Sequence, residues 1–289
     1  MNNLDWRQLL AGVSGGVIST LVLHPLDLVK IRLCVNDGLV TRPTYKGLTD
    51  TFFSVVRNEG VYALYKGCSP NIVGAGASWG FYFFFYGAIK SFLLSDGRHT
   101  LPATTHMMAG AEAGIMTLCL TNPIWVAKTR MCLQYPGSPT YTGLIHCLRS
   151  LWLREGLRGY YSGFVPGLFG VSHGAIQFMV YEEFKKLYAS HYNLDPLNIK
   201  LSSSWYVLFA ALSKLLASGS TYPYQVVRAR LQDQHTKYSG VFDVTTKTWR
   251  REGFYGFYKG LYTNLLRVVP ATCITFVVYE NLFAFLQTF

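Results

Sequence analysis

Charge is scarce in this chain, and acid is the scarcer half of it. Only 14% of the 289 residues are charged, against roughly 25% in an average soluble domain. Fifteen acidic residues face 26 lysines and arginines, while 50% of the chain is hydrophobic. Lipid is therefore a fitting solvent. Long clean apolar runs are missing too. No stretch shows the roughly 20 uninterrupted apolar residues of a simple membrane span, because glycine, proline, serine and single charges interrupt every candidate. Interrupted helices of this kind suit the wall of a polar cavity.

Other absences narrow the function. The six cysteines, Cys34, Cys68, Cys119, Cys132, Cys147 and Cys273, form no C-x-x-C pair, which argues against a zinc ribbon or a stapled secreted domain. The seven histidines are dispersed with no H-E-x-x-H, so no metal site is expected. There is no P-loop, no G-x-S-x-G and no strand-borne G-x-G-x-x-G; the run Gly12-Val13-Ser14-Gly15-Gly16 lies inside an apolar helix. Catalytic readings therefore lack a constellation, and an enzyme is not expected. The net charge of +11 is not gathered into blocks, which weighs against a nucleic-acid partner. No signal-peptide cleavage pattern follows Met1, so targeting is expected to be internal.

What the chain does have is repetition. Pro25-Leu26-Asp27-Leu28-Val29-Lys30-Ile31-Arg32 recurs as Pro123-Ile124-Trp125-Val126-Ala127-Lys128-Thr129-Arg130 and as Pro223-Tyr224-Gln225-Val226-Val227-Arg228-Ala229-Arg230. A second landmark follows each in constant register: Glu59-Gly60 with Tyr65-Lys66-Gly67, Glu155-Gly156 with Tyr161-Ser162-Gly163, and Glu252-Gly253 with Tyr258-Lys259-Gly260. Chance does not produce two landmarks three times in one register. The division follows as repeats over residues 1–98, 99–196 and 197–289. Each reads as an apolar helix into the proline, a loop with a short helix, the Glu-Gly turn and a second apolar helix. The odd helices are expected over 9–35, 103–134 and 201–234, the even ones over 69–95, 164–190 and 262–288. Glycines four apart (Gly12 and Gly16, Gly76 and Gly80, Gly110 and Gly114, Gly170 and Gly174) are expected to let helix backbones approach. A proline inside each odd helix kinks it, and three such kinks would bring the charges that follow them together near an axis.

These paired landmarks resemble the signature of the mitochondrial carrier family along essentially the whole chain. The resemblance implies an all-α membrane protein: six transmembrane helices in three pseudo-threefold repeats with short matrix helices, in the mitochondrial inner membrane. It also implies alternating access by a functional monomer, with cardiolipin bound at matrix-side helix ends. In the family, the acid of one repeat pairs with the first base of the next as a matrix gate. Carried over, Asp27 pairs with Lys128, whereas Trp125 and Gln225 replace the other two acids. Lys30 keeps a hydrogen bond with Gln225, and Arg228 is left without a carboxylate. The opposite gate is implied to pair Lys90 with Glu182 and Lys185 with Glu280, with Gly87 and Phe283 as mutually missing partners. Ser162 departs from the pattern by replacing a base. Trp125 resembles the carriers of pyrimidine nucleotides, NAD, FAD and folate, and the segments 23–32, 164–170 and 222–234 resemble the branch that carries FAD and folate; carriers of pyrimidine nucleotides or NAD are the alternative. FAD or folate is then cargo, not cofactor.

Ionisable groups inside a membrane are functional candidates by default. Arg267 falls where the family places a substrate contact; its fork suits a phosphate or carboxylate, and the alternative is a structural pair with a nearby acid. Gly74 and the pair Gly170-Val171 occupy the matching places in the other even helices, either opening room for a planar ring or packing helices. Lys214 either adds charge for an anionic substrate or is neutralised by Glu112. His173 either hydrogen-bonds a ring carbonyl or is satisfied in packing, and His24 is structural. Trp79, Tyr82, Trp125, Phe169 and Phe178 offer stacking surface, or cover lipid-facing helix sides.

Overall fold

The computed structural model describes residues 6–38, 43–94, 102–137, 141–192, 202–236 and 238–287. Three helices carry the prolines: α1 (Trp6–Cys34, Pro25), α4 (Ala103–Cys132, Pro123) and α8 (Ser203–Gln232, Pro223). Each leads to a short surface helix, namely α2 (Leu48–Glu59), α5 (Leu144–Tyr160) and α9 (Val241–Glu252). The even position of each repeat is filled by α3 (Cys68–Leu94), by α6 (Phe164–Phe169) continuing into α7 (Val171–His191), and by α10 (Leu261–Gln287). The odd helices α1, α4 and α8 thus agree with the sequence pattern to within a few residues, and the second even helix is interrupted at Gly170.

The Glu-Gly landmark is a chain reversal. Gly60, Gly156 and Gly253 hold φ of 86°, 60° and 63°, left-handed values that glycine adopts without a Cβ clash. The following glycines are tight for a second reason. A Cβ on Gly67 would sit 3.0 Å from the Lys128 carbonyl, one on Gly163 would sit 3.1 Å from that of Arg228, and one on Gly260 would sit 3.1 Å from that of Lys30. Each repeat therefore lays its second landmark against the odd helix of the next, and the third returns to the first.

The helices follow the same circular order. The most extensive packing joins α3 to α4, α7 to α8 and α10 to α1, all between repeats. Gly15 makes the close approach of α1 to α10, because a Cβ there would lie 2.9 Å from the Thr275 carbonyl. The expected close approaches at Gly12, Gly16, Gly76 and Gly80 do not occur; those positions face open space.

Polarity runs opposite to that of a soluble protein. His24, Asp27, Arg32, Thr129, Arg130 and Arg230 are buried, while Phe83, Phe84, Phe92 and Phe276 are more than 60% exposed. Among the described residues, Val61–Leu94 and Phe254–Leu286 are long and apolar enough to cross a membrane, and the bent pair Leu144–Tyr160 and Phe164–His191 makes a third such stretch. The odd helices are as long but carry the charged motif, which lowers their hydropathy and gives them the inner wall.

Candidate functional site

At the proline end the charged motifs form two stacked rings. The lower ring uses the second base of each motif. Arg32 forks onto Glu59, Arg130 onto Glu155 at 2.5 and 2.7 Å, and Arg230 onto Glu252 at 2.5 and 2.9 Å. Each arginine also donates its Nε–H to the carbonyl at the end of the next odd helix: Arg32 to Cys132 at 3.2 Å, Arg130 to Gln232 at 3.3 Å and Arg230 to Cys34 at 3.0 Å. Those carbonyls lack partners within their own helices. Nine groups, three from each repeat, thus close a circle. Burial alone would raise the Glu59 carboxyl, but the bonds from Arg32 and Lys66 outweigh it and hold the group below the usual range.

Lys66 and Lys259 add second crossings. Lys66 bonds Glu59 at 2.8 Å and the Gln134 carbonyl at 3.0 Å; Lys259 bonds Glu252 and the Asn36 carbonyl, both at 2.6 Å. Ser162, the departure in repeat two, still donates to the Leu231 carbonyl at 2.5 Å. A serine is too short to bridge to Glu155 as well, and the Glu155 side chain is 41% exposed against 4% for Glu59.

The upper ring, one turn away, is uneven. Lys128 Nζ lies 3.5 Å from Asp27 Oδ2, and Lys30 donates to Gln225 at 2.8 Å and to Asn264 at 2.7 Å. Arg228 donates to Asn122 Oδ1 at 3.2 Å, with no carboxylate in ion-pair range among the described residues. Trp125 turns out of the ring: its indole N–H donates to Ser78 on α3 at 3.2 Å and the Lys128 ammonium lies 5.3 Å from its ring centre. Arg267 reaches Asp27 at 2.6 Å.

Above this ring lies a two-lobed cavity. One lobe, of about 410 Å³, is lined by five cations, Lys30, Lys128, Lys214, Arg228 and Arg267, together with His173 and Gln225, and among the described residues by no carboxylate. The other, of about 590 Å³, lies between α3, α4 and α7 and is walled by Gly110, Gly114, Gly170 and Gly174 with Tyr82 and Phe178, and Val171 also lines it. Trp125, Tyr224 and Arg228 border both lobes.

The structure separates some residues that the sequence grouped. Gly74 lies outside both lobes, because its Cβ position is filled by Ile124 at 3.1 Å and the Trp125 indole at 3.6 Å; it is a packing glycine beneath the tryptophan. Lys214 lines the cationic lobe, whereas Glu112 lines a separate crevice between α3 and α4. His173 bonds Thr221 at 3.0 Å. The pairs expected at the other end are not formed in this conformation: Lys185 lies 3.2 Å from Glu182 on its own helix, and Lys90 and Glu280 have no ion pair among the described residues. The even helices pack on the odd ones there rather than extensively on one another, so a partner one turn away wins. Unassigned by sequence reasoning were Arg32, Arg130 and Arg230 with Glu59, Glu155 and Glu252, although one such arginine and one such glutamate stand in every repeat.

Residues 4–97, 99–192 and 200–289 each match the sequence profile described as mitochondrial carrier protein. The chain belongs to the mitochondrial carrier family. Members of this family are transporters, not enzymes, and the helical carrier fold follows. The chain is 41% identical to a chloroplastic folate transporter of Arabidopsis thaliana, over 98% of this chain and 96% of the relative. It is 40% identical to a mitochondrial nicotinamide adenine dinucleotide transporter of the same plant, over 96% and 78%. A mitochondrial FAD carrier protein of Saccharomyces cerevisiae is 34% identical over 96% of both chains. In this conformation the charged rings at the proline end are formed, while the pairs expected at the other end are not.

Proposed function

We propose that this carrier moves FAD or folate across the mitochondrial inner membrane by alternating access, with NAD or a pyrimidine nucleotide as the second reading. The observation that carries it is the two-lobed cavity: five cations with, among the described residues, no lining carboxylate, beside a slot walled by glycine and aromatic side chains. Folate pairs an anionic end with a planar pterin, and FAD carries an anionic pyrophosphate between two planar heterocycles, so each offers an anionic part to one lobe and a ring to the other. Arg267, Lys214 and Arg228 hold the anionic end, Gly170 and Val171 admit the ring, and His173 supplies a hydrogen bond. The gates are the upper ring (Asp27, Lys30, Lys128, Gln225, Arg228, with Trp125 as its wall) and, after closure of the other end, Lys90 with Glu182 and Lys185 with Glu280. The NAD reading draws on a relative of nearly equal similarity. The inner mitochondrial membrane is proposed because the landmark pattern is that of mitochondrial carriers, and a fluorescent fusion distinguishes it from a plastid envelope.

The test is uptake of labelled FAD, folate and NAD into liposomes holding the purified protein, with Arg267→Ala alongside. Saturable uptake of FAD or folate that unlabelled NAD does not compete for supports the reading. Uptake of NAD alone overturns it in favour of the second.

A further inference from the structure

The seam between α3 and α4 has two faces at the end away from the prolines. The inner face borders the cavity and is closed by contact: Tyr86 and His106 hydrogen-bond at 2.7 Å, and a Cβ on Gly110 would lie 3.2 Å from the Tyr82 hydroxyl. The outer face opens as a crevice of about 380 Å³ between Ala88, Phe92 and Leu93 of α3 and Thr105, Met108 and Glu112 of α4. Among the described residues, Thr105 and Glu112 are the only polar side chains that line it. α3 belongs to the apolar stretch Val61–Leu94, long enough to cross a membrane, and Phe92 and Met108 are exposed, so this face looks into lipid. Glu112 is exposed beside them, and among the described residues no hydrogen bond or ion pair reaches it.

A carboxylate facing lipid is costly unless an opposite charge meets it. The protein supplies none in this crevice; Lys214, the cation that the sequence offered as its partner, lines the central cavity instead. Glu112 lies nine residues beyond Ala103, the start of α4, about 14 Å at 1.5 Å per residue. Its side chain leans back toward that start, which brings the carboxylate up toward the lipid headgroups on that side of the membrane.

We infer that this crevice is a lipid site in which Glu112 takes the ammonium of a phosphatidylethanolamine while an acyl chain lies along Phe92 and Met108. An ionised carboxylate only accepts hydrogen bonds, so its partner must donate. Ethanolamine offers a positive charge with three N–H donors, choline offers the charge without donors, and an anionic lipid without an amine offers neither. The lipid phosphate falls on the side of Thr105 and the start of α4, where the helix dipole favours an anion. A lipid seated there fills from outside the seam that Tyr86 and His106 close from inside, and so ties repeat one to repeat two.

The test places the purified full chain in detergent micelles with a phosphatidylethanolamine that carries a diazirine on its acyl chain, and maps the crosslinked peptides by mass spectrometry. Crosslinks are expected within residues 88–93 and 105–112. Unlabelled phosphatidylethanolamine is expected to displace the probe at about tenfold lower concentration than phosphatidylcholine, with the singly and doubly N-methylated lipids in between. Glu112→Gln, neutral and of the same shape, is expected to bring the two competitors within about twofold of each other. Glu112→Lys turns the preference toward phosphatidylglycerol. Ala88→Trp fills the crevice and removes the crosslinks, and Ala88→Leu carries the same comparison should the tryptophan variant not fold. Equal competition by phosphatidylethanolamine and phosphatidylcholine, a preference that persists in Glu112→Gln, or crosslinks that avoid both segments overturns the inference. The crosslinks are read without cargo, so the outcome is independent of which solute the carrier moves.

Discussion

The two rings at the proline end are one turn of helix apart and obey different rules. The lower is threefold in every element: one arginine, one glutamate and one carbonyl per repeat. The upper has three bases, one carboxylate and an indole turned aside. Symmetry is kept where the ring ties short surface helices to long ones, and is lost where the ring faces the cavity. A closed clamp gains from three equal links. On the proposed transport cycle the upper ring opens each time, and such a gate gains from weak and unequal links, since cargo has less to overcome.

Breaking the lower ring is expected to have the largest effect. Arg230→Leu leaves buried Glu252 to Lys259 alone and the Cys34 carbonyl without its donor, and costs about 2–3 kcal/mol, read as a marked fall of the melting temperature in detergent. Arg228→Leu, two residues earlier, removes a base without a carboxylate partner. It is expected to leave stability within about 1 kcal/mol while uptake falls, and equal melting losses for the two variants would erase the distinction between the rings. Trp125→Glu sharpens it from the other side, because a second carboxylate in the upper ring faces Arg228. About 1–2 kcal/mol of added closure slows opening at the proline end roughly 5- to 30-fold, and an unchanged exchange rate counts against the gate assignment.

Smaller effects test the finish of the lower ring. Glu59 titrates below the ordinary carboxylate range when folded, so its contribution is fully present above the unfolded value of about 4.3 and is lost as pH falls through the lower folded value. The melting temperature should be level above about pH 5 and fall below it, and Glu59→Gln should flatten that fall. Ser162→Lys restores the bridge that repeats one and three have. A gain of about 0.5–1 kcal/mol is expected, because Glu155 is partly exposed and its pairing is screened.

The repeats and the odd helices were legible because proline, charge and glycine recur at fixed offsets that single-chain periodicity exposes. The pairing of Lys30 with Gln225 and of Lys128 with Asp27 was implied by the family resemblance of the same motif, and both contacts are present. The place of Gly74 could not, because it depends on which way the Trp125 indole turns, and that is settled by Ser78 and Ile124 on other turns. Arg267 was legible as a cavity cation but not as the nearest partner of Asp27, since 240 residues of sequence separate two side chains that meet only when the circle closes. The far-end pairs were implied by the family resemblance, and in the present conformation they are not formed.

One detail of the lower ring bears on how such a chain changes over generations. The acceptors that close it are main-chain carbonyls of Cys34, Cys132 and Gln232. Every amino acid supplies that atom, so substitution at these positions cannot delete the acceptor. The three repeats already place a thiol, a thiol and an amide there while making the same bond. The clamp therefore constrains six side chains and leaves its other three members free to drift, so the cavity above can be refitted to new cargo while the closure beneath it stays intact.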